Sequence, residues 1–280
     1  MAALSRRTYV AGPKPVVAAS VPPGEKGEVW SPTSSTLIFG DRDAVLVDAL
    51  LTMDEGRALA DWVAASGRNL TTIYVTHGHG DHFFGASAVL ERFPDARMVA
   101  TRSVVEHMRQ QLGEQWLDGF WRKGFPDQIA ENPPIAETLD DTTIELEGEK
   151  LVAVEVGHTD TDDTTVLHVP SLDLVVAGDA VYNGVHLYLA EAGNGGMQRW
   201  HAALDTVAAL RPSVVIAGHK PDGADDDPDT IEQTRQYLDA FAAEAERADN
   251  AEALYAAMIR RYPDRINRSV AWNSAHAAKS

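Results

Sequence analysis

The stretch after the first clearly buried strand reads Thr76-His77-Gly78-His79-Gly80-Asp81-His82. The run before it, residues 70–75, is apolar and β-branched, which predicts a strand. Imidazoles and a carboxylate therefore emerge together where a rigid strand gives way to a loop. Glycines within this stretch let the chain turn tightly, so that neighbouring side chains can converge. Such clustered nitrogen and oxygen donors, without a thiol, predict a site for one or two zinc-like ions.

A polar loop that is merely rich in histidine is the alternative interpretation. Burying that much polarity without a metal or a hydrogen-bond network is costly, which argues against it. Further donors also lie downstream, each directly after an apolar run that predicts a strand. They are His158 after residues 151–156, Asp179 after residues 174–176 and His219 after residues 214–216.

The set and order of these motifs resembles the metallo-β-lactamase superfamily, and the resemblance covers most of the chain. The resemblance implies a first metal bound by His77, His79 and His158. It implies a second metal bound by Asp81, His82 and His219, with Asp179 bridging the two ions. It also implies that Asp48, at the end of an earlier strand, orients the metal loop through hydrogen bonds. A solvated strand end is the alternative for Asp48.

Strands and helices followed by a second set of strands suggest two sheets packed face to face, with helices outside. The resemblance implies the same α/β fold, a four-layer αββα sandwich with extra C-terminal helices. We expect an N-terminal arm over residues 1–25, punctuated by prolines, and the metallo-hydrolase domain over residues 26–248. Residues 249–280 are expected to form a C-terminal helix and tail packed on that domain.

The amino-acid composition limits the classes of partner and the cellular location that we expect for this protein. The chain carries 24 Lys and Arg against 42 Asp and Glu, a formal net charge of −18, which argues against a nucleic-acid-binding surface. It has no cysteine, hence no disulfide and no thiolate ligand. No apolar run is long enough to span a bilayer, and prolines interrupt residues 1–20 where a signal peptide needs an apolar core. We expect a cytoplasmic protein with a small-molecule substrate; the oligomeric state stays open, with a homodimer as one option.

The predicted metal ions indicate which reaction the protein catalyses. Two zinc ions bridged by Asp179 would hold a hydroxide, because metals lower the pKa of bound water from 15.7 to about 7 in known zinc cases. Asp81, Asp179 and Tyr182 are the expected catalytic residues. Diiron relatives replace an imidazole of the first motif with a carboxylate, so the unaltered His79 favours zinc, with iron or manganese as the alternatives. Hydrolysis of a lactone, ester or thioester is the expected reaction.

Comparison within the resembling family narrows the subclass. The absence of cysteine excludes the β-lactamases with a cysteine ligand, and Asp179 excludes the subclass that lacks a bridging aspartate. Glyoxalase-II-like thioesterases and lactonases both remain. Tyr182 lies three residues after Asp179, as the tyrosine of lactonases does, where it would hydrogen-bond the substrate. The alternative is that Tyr182 packs its ring and points its hydroxyl to solvent.

The residues that would line a substrate cleft are less firmly indicated. Phe83, Phe84, Trp121, His186 and Tyr188 are the candidates. Residues 118–134 lack periodicity but are rich in aromatic side chains, which predicts a lid or pocket wall; rings that merely pin this segment to the core are the alternative.

The carboxylates that follow His158 admit two readings. Asp160, Asp162 and Asp163 are expected to cap a turn and face water, although near the metals they would disfavour anionic substrates.

Two other functions remain open. One is a non-catalytic or regulatory protein with the same metal site. The other is a phosphodiesterase, for which Lys220 and Arg199 are the nearby cations.

Overall fold

The computed structural model describes residues 3–17 and 20–280. Short strands rich in β-branched residues alternate with amphipathic helices along the chain. The strands are β1 (Ser5–Ala11), β2 (Lys14–Val16), β3 (Glu28–Trp30), β4 (Thr33–Phe39), β5 (Asp43–Val47), β6 (Asn69–Tyr74), β7 (Arg97–Ala100), β8 (Glu137–Thr138), β9 (Thr143–Leu146), β10 (Glu149–Gly157), β11 (Thr164–Val169), β12 (Leu174–Tyr182) and β13 (Val214–His219). The helices are α1 (Met53–Ala64), α2 (Ala86–Arg92), α3 (Arg102–Gln111), α4 (Glu114–Trp116), α5 (Arg122–Gly124), α6 (Gly196–Ala209), α7 (Asp229–Arg247), α8 (Ala251–Arg261) and α9 (Arg268–Ala278).

The main sheet has two halves. Its strand order is β8-β7-β6-β5-β4-β13-β12-β11-β10-β9, with β1 paired to β4. The first half pairs β5, β6, β7 and β8 in parallel, and β12 and β13 are parallel in the second half. The halves meet where Thr33 of β4 pairs with His219 of β13. The start of β4 and the end of β13 therefore lie side by side at one edge of the sandwich.

Alternation of side chains explains the layers, because successive residues of a strand point to opposite faces. On β5, Val45 and Val47 face a core that also contains Leu174 and Val176 of β12. The residues between them on β5, such as Leu46, pack in a second core that includes side chains of α1 and α2. A third core joins the other face of β12 to α6, α7, α8 and α9. The architecture is therefore an αββα sandwich, as predicted.

The N-terminal segment differs from the loose arm that the sequence predicts. Residues 5–11 form β1, which pairs antiparallel with β4 along its full length, and β2 pairs with β3. Residues 1–2 and 18–19 of the predicted arm lie outside the described residues. The prolines that suggested an arm fall outside β1 or in the short strand β2, where they do not interrupt the main sheet.

Two other segments add contacts around the sheet. Residues 117–124, predicted as part of an irregular connection, form a π-helical turn followed by α5. The C-terminal helix α9 packs on α8 and β3, and its Trp272 indole N–H donates to Ser20 Oγ at 2.7 Å. None of the helices in the described part of the chain is long and apolar enough to cross a membrane.

The core between the two half-sheets gives a stability test. Ile38 is completely buried there, so Ile38→Ala should lower the free energy of unfolding by about 2–5 kcal/mol. Ile135, which is 39% exposed, is the matched control, and Ile135→Ala should change it by about 0.5 kcal/mol or less. Urea denaturation of both variants measures the difference. Equal losses would contradict the assigned core.

Candidate metal centre

The metal loop, residues 76–82, is held from behind by Asp48. One Asp48 carboxylate oxygen accepts from the Thr76 backbone N–H at 2.9 Å, and the other accepts from Thr76 Oγ1 at 2.8 Å. That second oxygen also accepts from His82 Nδ1 at 2.8 Å. Asp48 is buried and lies directly after β5 with a φ of 59°, a conformation that aspartate tolerates better than most residues. The structure thus places Asp48 in hydrogen-bond contact with the metal loop.

The glycines of the metal loop allow close packing as well as the turn. A Cβ at Gly78 would lie 2.5 Å from Cγ of the His107 ring, and one at Gly80 would collide with the ring of Phe84. Neither glycine has a positive φ. Any side chain at these positions would push the loop away from the elements beneath it. The absence of side chains at these two glycines therefore lets the metal loop pack directly on the core.

The other half of the site comes from β12 and β13, which run parallel side by side. Asp179 lies in the middle of β12, and its side chain crosses over Gly218 so closely that a Cβ there would collide with Oδ1. His219 ends β13, and its Nδ1–H donates to the Pro32 carbonyl at 2.9 Å. That bond fixes the tautomer that leaves Nε2 of His219 free to face Asp179.

Each ring of the metal loop is oriented in the same manner. His82 donates through Nδ1 to Asp48. Thr76 Oγ1 already donates to Asp48, so it accepts from Nδ1 of His77 at 3.1 Å. His79 donates through Nε2 to Glu191 Oε1 at 3.2 Å. One nitrogen of each ring is thus bound to the protein, and the other is left with a free lone pair.

The free nitrogens converge on carboxylates. Three groups of potential ligands occur among the residues that the structure describes, and in each the donor atoms lie within 4.8 Å of one another. They are His77, His79 and Asp160; Asp81, His82 and His219; and His77, His82 and Asp179. Because the third group shares one ring with each of the others, Asp179 lies between the first two groups.

Separations within the groups match ligands of a common ion. His79 Nδ1 is 2.9 Å from Asp160 Oδ2, and His219 Nε2 is 3.1 Å from Asp179 Oδ2 and 3.4 Å from Asp81 Oδ2. His82 Nε2 is 3.3 Å from Asp179 Oδ1. Two ligands of a tetrahedral ion with bonds of about 2.0–2.2 Å lie about 3.4 Å apart.

Unpartnered atoms at the centre support a metal. The buried atoms that lack a hydrogen-bond partner include His77 Nε2, His82 Nε2, Asp160 Oδ2 and Asp179 Oδ1. Burying polar atoms without a partner is costly, and unpaired carboxylate oxygens are the most costly of these. Their convergence in the groups above fits bound divalent cations, which would give these atoms partners.

Electrostatics within the site follow from burial and mixed charge. Burial lowers the pKa of His77 well below its usual value. Burial would lower the pKa of His219 too, but Asp179 and Asp81 outweigh it and raise that pKa to about 9. Burial would raise the pKa of Asp179, but His219 and His82 hold it well below its usual range. Without metal, protons hold these groups together, so a metal must displace protons and its affinity must fall as pH is lowered.

Two predicted positions in the turn after β10 differ from expectation. His158 belongs to none of the three groups; its Nδ1 donates to Asp162 Oδ1 at 2.6 Å, and its Nε2 lies against Gly196. Asp160, expected to face water, is completely buried beside His77 and His79. The turn therefore presents Asp160 inward and rotates the histidine toward the N-terminus of α6.

Tyr182 points toward the metal ligands and not toward solvent. Its hydroxyl donates to Asp179 Oδ2 at 2.7 Å, and the residue is almost fully buried. Burial, with the Asp179 carboxylate adding to it, raises the Tyr182 pKa well above its usual value, so the hydroxyl keeps its proton. Of the two sequence-based readings, a hydroxyl in solvent does not describe this geometry.

A cleft of about 530 Å³ opens beside the ligands. Among the predicted pocket residues, Trp121 and Tyr188 line it, and Tyr182, Asp81, Asp179 and His219 form part of its floor. Phe120 and Trp30 add aromatic rings, with the Trp30 and Trp121 ring centroids 5.4 Å apart. The segment 118–134 thus supplies a wall of the cleft.

Phe83, Phe84 and His186 lie elsewhere. Phe83 and Phe84 are buried in the core beneath the metal loop, because the turn after His82 directs both rings inward. The rings of Phe84 and Trp121 pack edge to face, with their centroids 5.5 Å apart. His186 is fully buried in the core under the C-terminal helices, where its Nδ1 contacts the Tyr237 hydroxyl at 2.8 Å. These three residues support the site from outside the cleft.

Two residues at the site escaped the sequence analysis. Trp30 donates its indole N–H to Asp81 Oδ2 at 3.0 Å. Glu191 contacts His79 through one oxygen and accepts from Thr161 Oγ1 at 2.7 Å through the other. No local motif marks either residue, since both reach the metal loop only through the tertiary fold. The glycine-rich segment around Glu191 was the sole available hint.

The fold is similar to solved metallo-β-lactamases. One from Pontibacter korlensis matches with a TM-score of 0.59 and 18% identity, over 80% of this chain and 98% of that one. FIM-1 from Pseudomonas aeruginosa, in a mono-zinc form, matches with a TM-score of 0.56 and 16% identity, over 85% and 91%. One from Hirschia baltica matches with a TM-score of 0.56 and 17% identity, over 84% and 94%. Likeness at these identities shows the fold alone.

Fold and site together define an αββα protein with a buried His/Asp centre suited to a divalent metal. A sequence profile described as "Metallo-beta-lactamase superfamily" matches residues 29–219, a span that runs from β3 to the last metal-facing histidine. This chain belongs to the metallo-β-lactamase superfamily and has its metal-dependent hydrolase fold. No curated protein matches the sequence.

The indole of Trp30 gives a test of the site. Trp30→Phe keeps a ring in the aromatic wall but removes the N–H that orients Asp81, so zinc affinity should fall about 10–100-fold. Trp121→Phe is the control, because its indole N–H donates to Gln111 and not to a metal-facing group. Isothermal titration with zinc compares the two. Unchanged affinity in Trp30→Phe would mean that Asp81 is oriented without Trp30.

Proposed function

We propose that this protein is a hydrolase that uses two zinc ions to open the lactone, ester or thioester bond of a neutral, hydrophobic acyl compound. One observation carries the proposal: buried imidazole and carboxylate atoms without partners converge at the floor of an open aromatic cleft. A metal site that served stability alone would need no such opening for a ligand. The cleft therefore favours catalysis over a regulatory or structural role.

Two metal positions are supported by the grouping of the donors. His77 and His79 belong to one position, and Asp81, His82 and His219 belong to the other. Asp179 faces both, because Oδ1 is near His82 while Oδ2 is near His219 and the third group joins it to His77. A carboxylate in this place suits the bridging role. Manganese or iron would meet the same donors.

The bound metals would supply a water of lowered pKa and polarise the carbonyl of the substrate. Asp179 contributes a carboxylate whose pKa the neighbouring histidines hold low, so it stays ionised. Tyr182 lines the cleft, and its hydroxyl oxygen lies 2.7 Å from Oδ2 of that carboxylate, to which it donates. A small rotation of its hydroxyl would let it donate to the oxygen of a reacting carbonyl, where one such donor is worth about 3–4 kcal/mol.

The lining of the cleft argues for a neutral, apolar substrate. Its walls carry the aromatic rings of Trp30, Trp116, Phe120, Trp121 and Tyr188. Carboxylates of Glu28 and Glu191 also line it, together with those at the metal positions, and they repel anions. Burial of an acyl chain against rings gains about 0.8 kcal/mol per methylene. Anionic thioesters gain less here than neutral lactones or esters.

A phosphodiesterase has less support from the cations. Lys220 is buried and paired with Asp226, which also pairs with Arg6 at 2.7 Å. Arg199 donates to the carbonyl of Asn194 in its own surface segment. Both cations named by the sequence are thus engaged with protein groups. Lys123 also lines the cleft, but one exposed cation beside the carboxylates of Glu28 and Glu191 offers little for phosphodiester recognition.

The proposed reaction is tested by proton release in a pH-stat. Zinc-loaded protein should release protons steadily with a neutral long-chain acyl homoserine lactone or aryl ester, and at a lower rate with an anionic acyl-coenzyme A thioester. Asp179→Asn should reduce the rate at least about a hundredfold, because it removes the shared carboxylate. Asp163→Asn, at an exposed position of the turn after β10, is the charge-matched control. No release with any acyl substrate would overturn the proposal.

Tyr182 is tested by removing only its hydroxyl. Tyr182→Phe should keep the metal content but lower kcat by about 10- to 1000-fold, since the donor near the reacting carbonyl is lost. Tyr237→Phe removes another buried, hydrogen-bonded hydroxyl far from the ligands and should leave kcat unchanged. Metal analysis and steady-state kinetics are compared for both variants. An unchanged rate in Tyr182→Phe would return this ring to a packing role.

A further inference from the structure

We infer that Asp160, and not His158, is the third protein ligand of the first metal position beside His77 and His79. The inference rests on the metal-dependent function proposed above and deepens it. The motif around His158 matches the family pattern, but the turn that follows it carries three carboxylates, those of Asp160, Asp162 and Asp163. The structure shows which side chain that turn delivers to the site.

Contacts of Asp160 point its carboxylate at the ligands. Oδ1 accepts from the Thr159 hydroxyl at 2.9 Å, which fixes the side chain. Oδ2 is left without a hydrogen-bond partner, 2.9 Å from His79 Nδ1 and 3.8 Å from His77 Nε2. Asp160 is fully buried yet borders the cleft. A buried carboxylate oxygen this close to two imidazole nitrogens is well placed to share a cation with them.

His158 has a structural explanation. Its Nδ1 donates to Asp162, an exposed carboxylate of the same turn, and this bond ties the turn together. Its Nε2 also lacks a partner, but it lies against the backbone of Gly196, where a Cβ would be 2.5 Å away. The ring therefore packs on the first residue of α6. It is not part of the group formed by His77, His79 and Asp160.

The backbone explains the exchange. The pairing of β10 with β11 shifts register between Glu155 and Gly157, and Gly157 has a φ of 85° that favours glycine. Thr159 N–H then donates to the Thr161 carbonyl at 2.8 Å and closes a tight turn around Asp160. A bulge of this kind re-aims the side chains that follow it. Here the residue two places after the histidine points inward.

Replacing an imidazole with a carboxylate changes the chemistry of the centre. Three carboxylates, from Asp81, Asp160 and Asp179, face the two positions. The net charge of a centre with two divalent ions would therefore be lower by one than it would be with an imidazole in place of Asp160. Carboxylate ligands also suit harder ions such as manganese better than imidazole does. The first position should therefore accept manganese more readily than a three-histidine site. The smaller positive charge also fits a neutral substrate.

Metal binding by matched variants tests the assignment. Asp160→Asn keeps the size and the Thr159 bond but removes the charge, and His158→Asn keeps a donor for Asp162 but removes Nε2. Asp163→Asn controls for charge in the same turn. Isothermal titration with zinc and the visible spectrum of the cobalt-loaded protein are the readouts. We expect Asp160→Asn to weaken one of two ions more than about tenfold and to alter the cobalt spectrum, with the other two variants like wild type.

The outcomes separate this inference from the proposed function. Loss of one ion in His158→Asn with both retained in Asp160→Asn would overturn the assignment and leave the hydrolase standing. Unchanged binding in both variants would overturn it as well. Asp160-dependent binding without hydrolysis of any acyl substrate would support the ligand and refute the hydrolase. A wild-type protein that binds no divalent ion would refute both.

A measurement on the wild-type protein covers the case in which Asp160→Asn fails to fold. Protein labelled with ¹⁵N in its 10 histidines is titrated with zinc and followed by long-range ¹H–¹⁵N spectra. We expect a ring nitrogen to shift in each of His77, His79, His82 and His219. The His158 signals, assigned by their loss in His158→Asn, should keep their metal-free positions. A zinc-dependent shift of His158 Nε2 like those of the four ligands would overturn the assignment.

Discussion

The buried carboxylate of Asp48 is the contact on which the geometry of the site depends. It receives the backbone and hydroxyl of Thr76 and the ring of His82, and the Thr76 hydroxyl in turn receives the ring of His77. One carboxylate therefore fixes the orientation and tautomer of two imidazoles on a loop that would otherwise have several arrangements. Hydrogen bonds of this kind are strong in a buried, low-dielectric setting, and each is costly to break. The loop is pre-organised before any metal binds.

The second constraint is the junction of the two half-sheets. Thr33 pairs with His219 there, the Pro32 carbonyl fixes the His219 tautomer, and Ser34 donates to the Ala217 carbonyl at 2.6 Å. Trp30 precedes this junction and connects the aromatic wall of the cleft to Asp81. The same short segment therefore joins the sheet, orients a ligand and shapes the cleft. Because one segment does all three, the metal positions and the cleft lie at the same edge of the sandwich.

Sequence analysis succeeded where a side chain's direction is decided locally. The αββα fold followed from the order of strands and helices, and the metal loop and His219 lie at strand ends that hydrophobic patterning reveals. Asp179 lies inside β12, after the apolar residues that begin this strand. It assigned His158 to the first metal and expected Asp160 to face water, because the pattern does not reveal the bulge upstream that turns Asp160 inward. Trp30 and Glu191 reach the site only through long-range packing, 51 and 112 residues from their partners. The strand β1 was hidden because its pairing partner lies further along the chain.

Charge and shape in the cleft have different consequences for selectivity. In the proposed hydrolase, four imidazoles and three carboxylates around two divalent ions would leave little net charge, and Glu28 and Glu191 at the walls would reduce it further. Long-range attraction of an anionic substrate is then weak, which agrees with an acidic chain of net charge −18. Binding must come mainly from burial against the rings around Trp30, where each added methylene contributes a similar increment. Discrimination should therefore follow the length and breadth of the acyl group, and the metals would determine only which bond is opened.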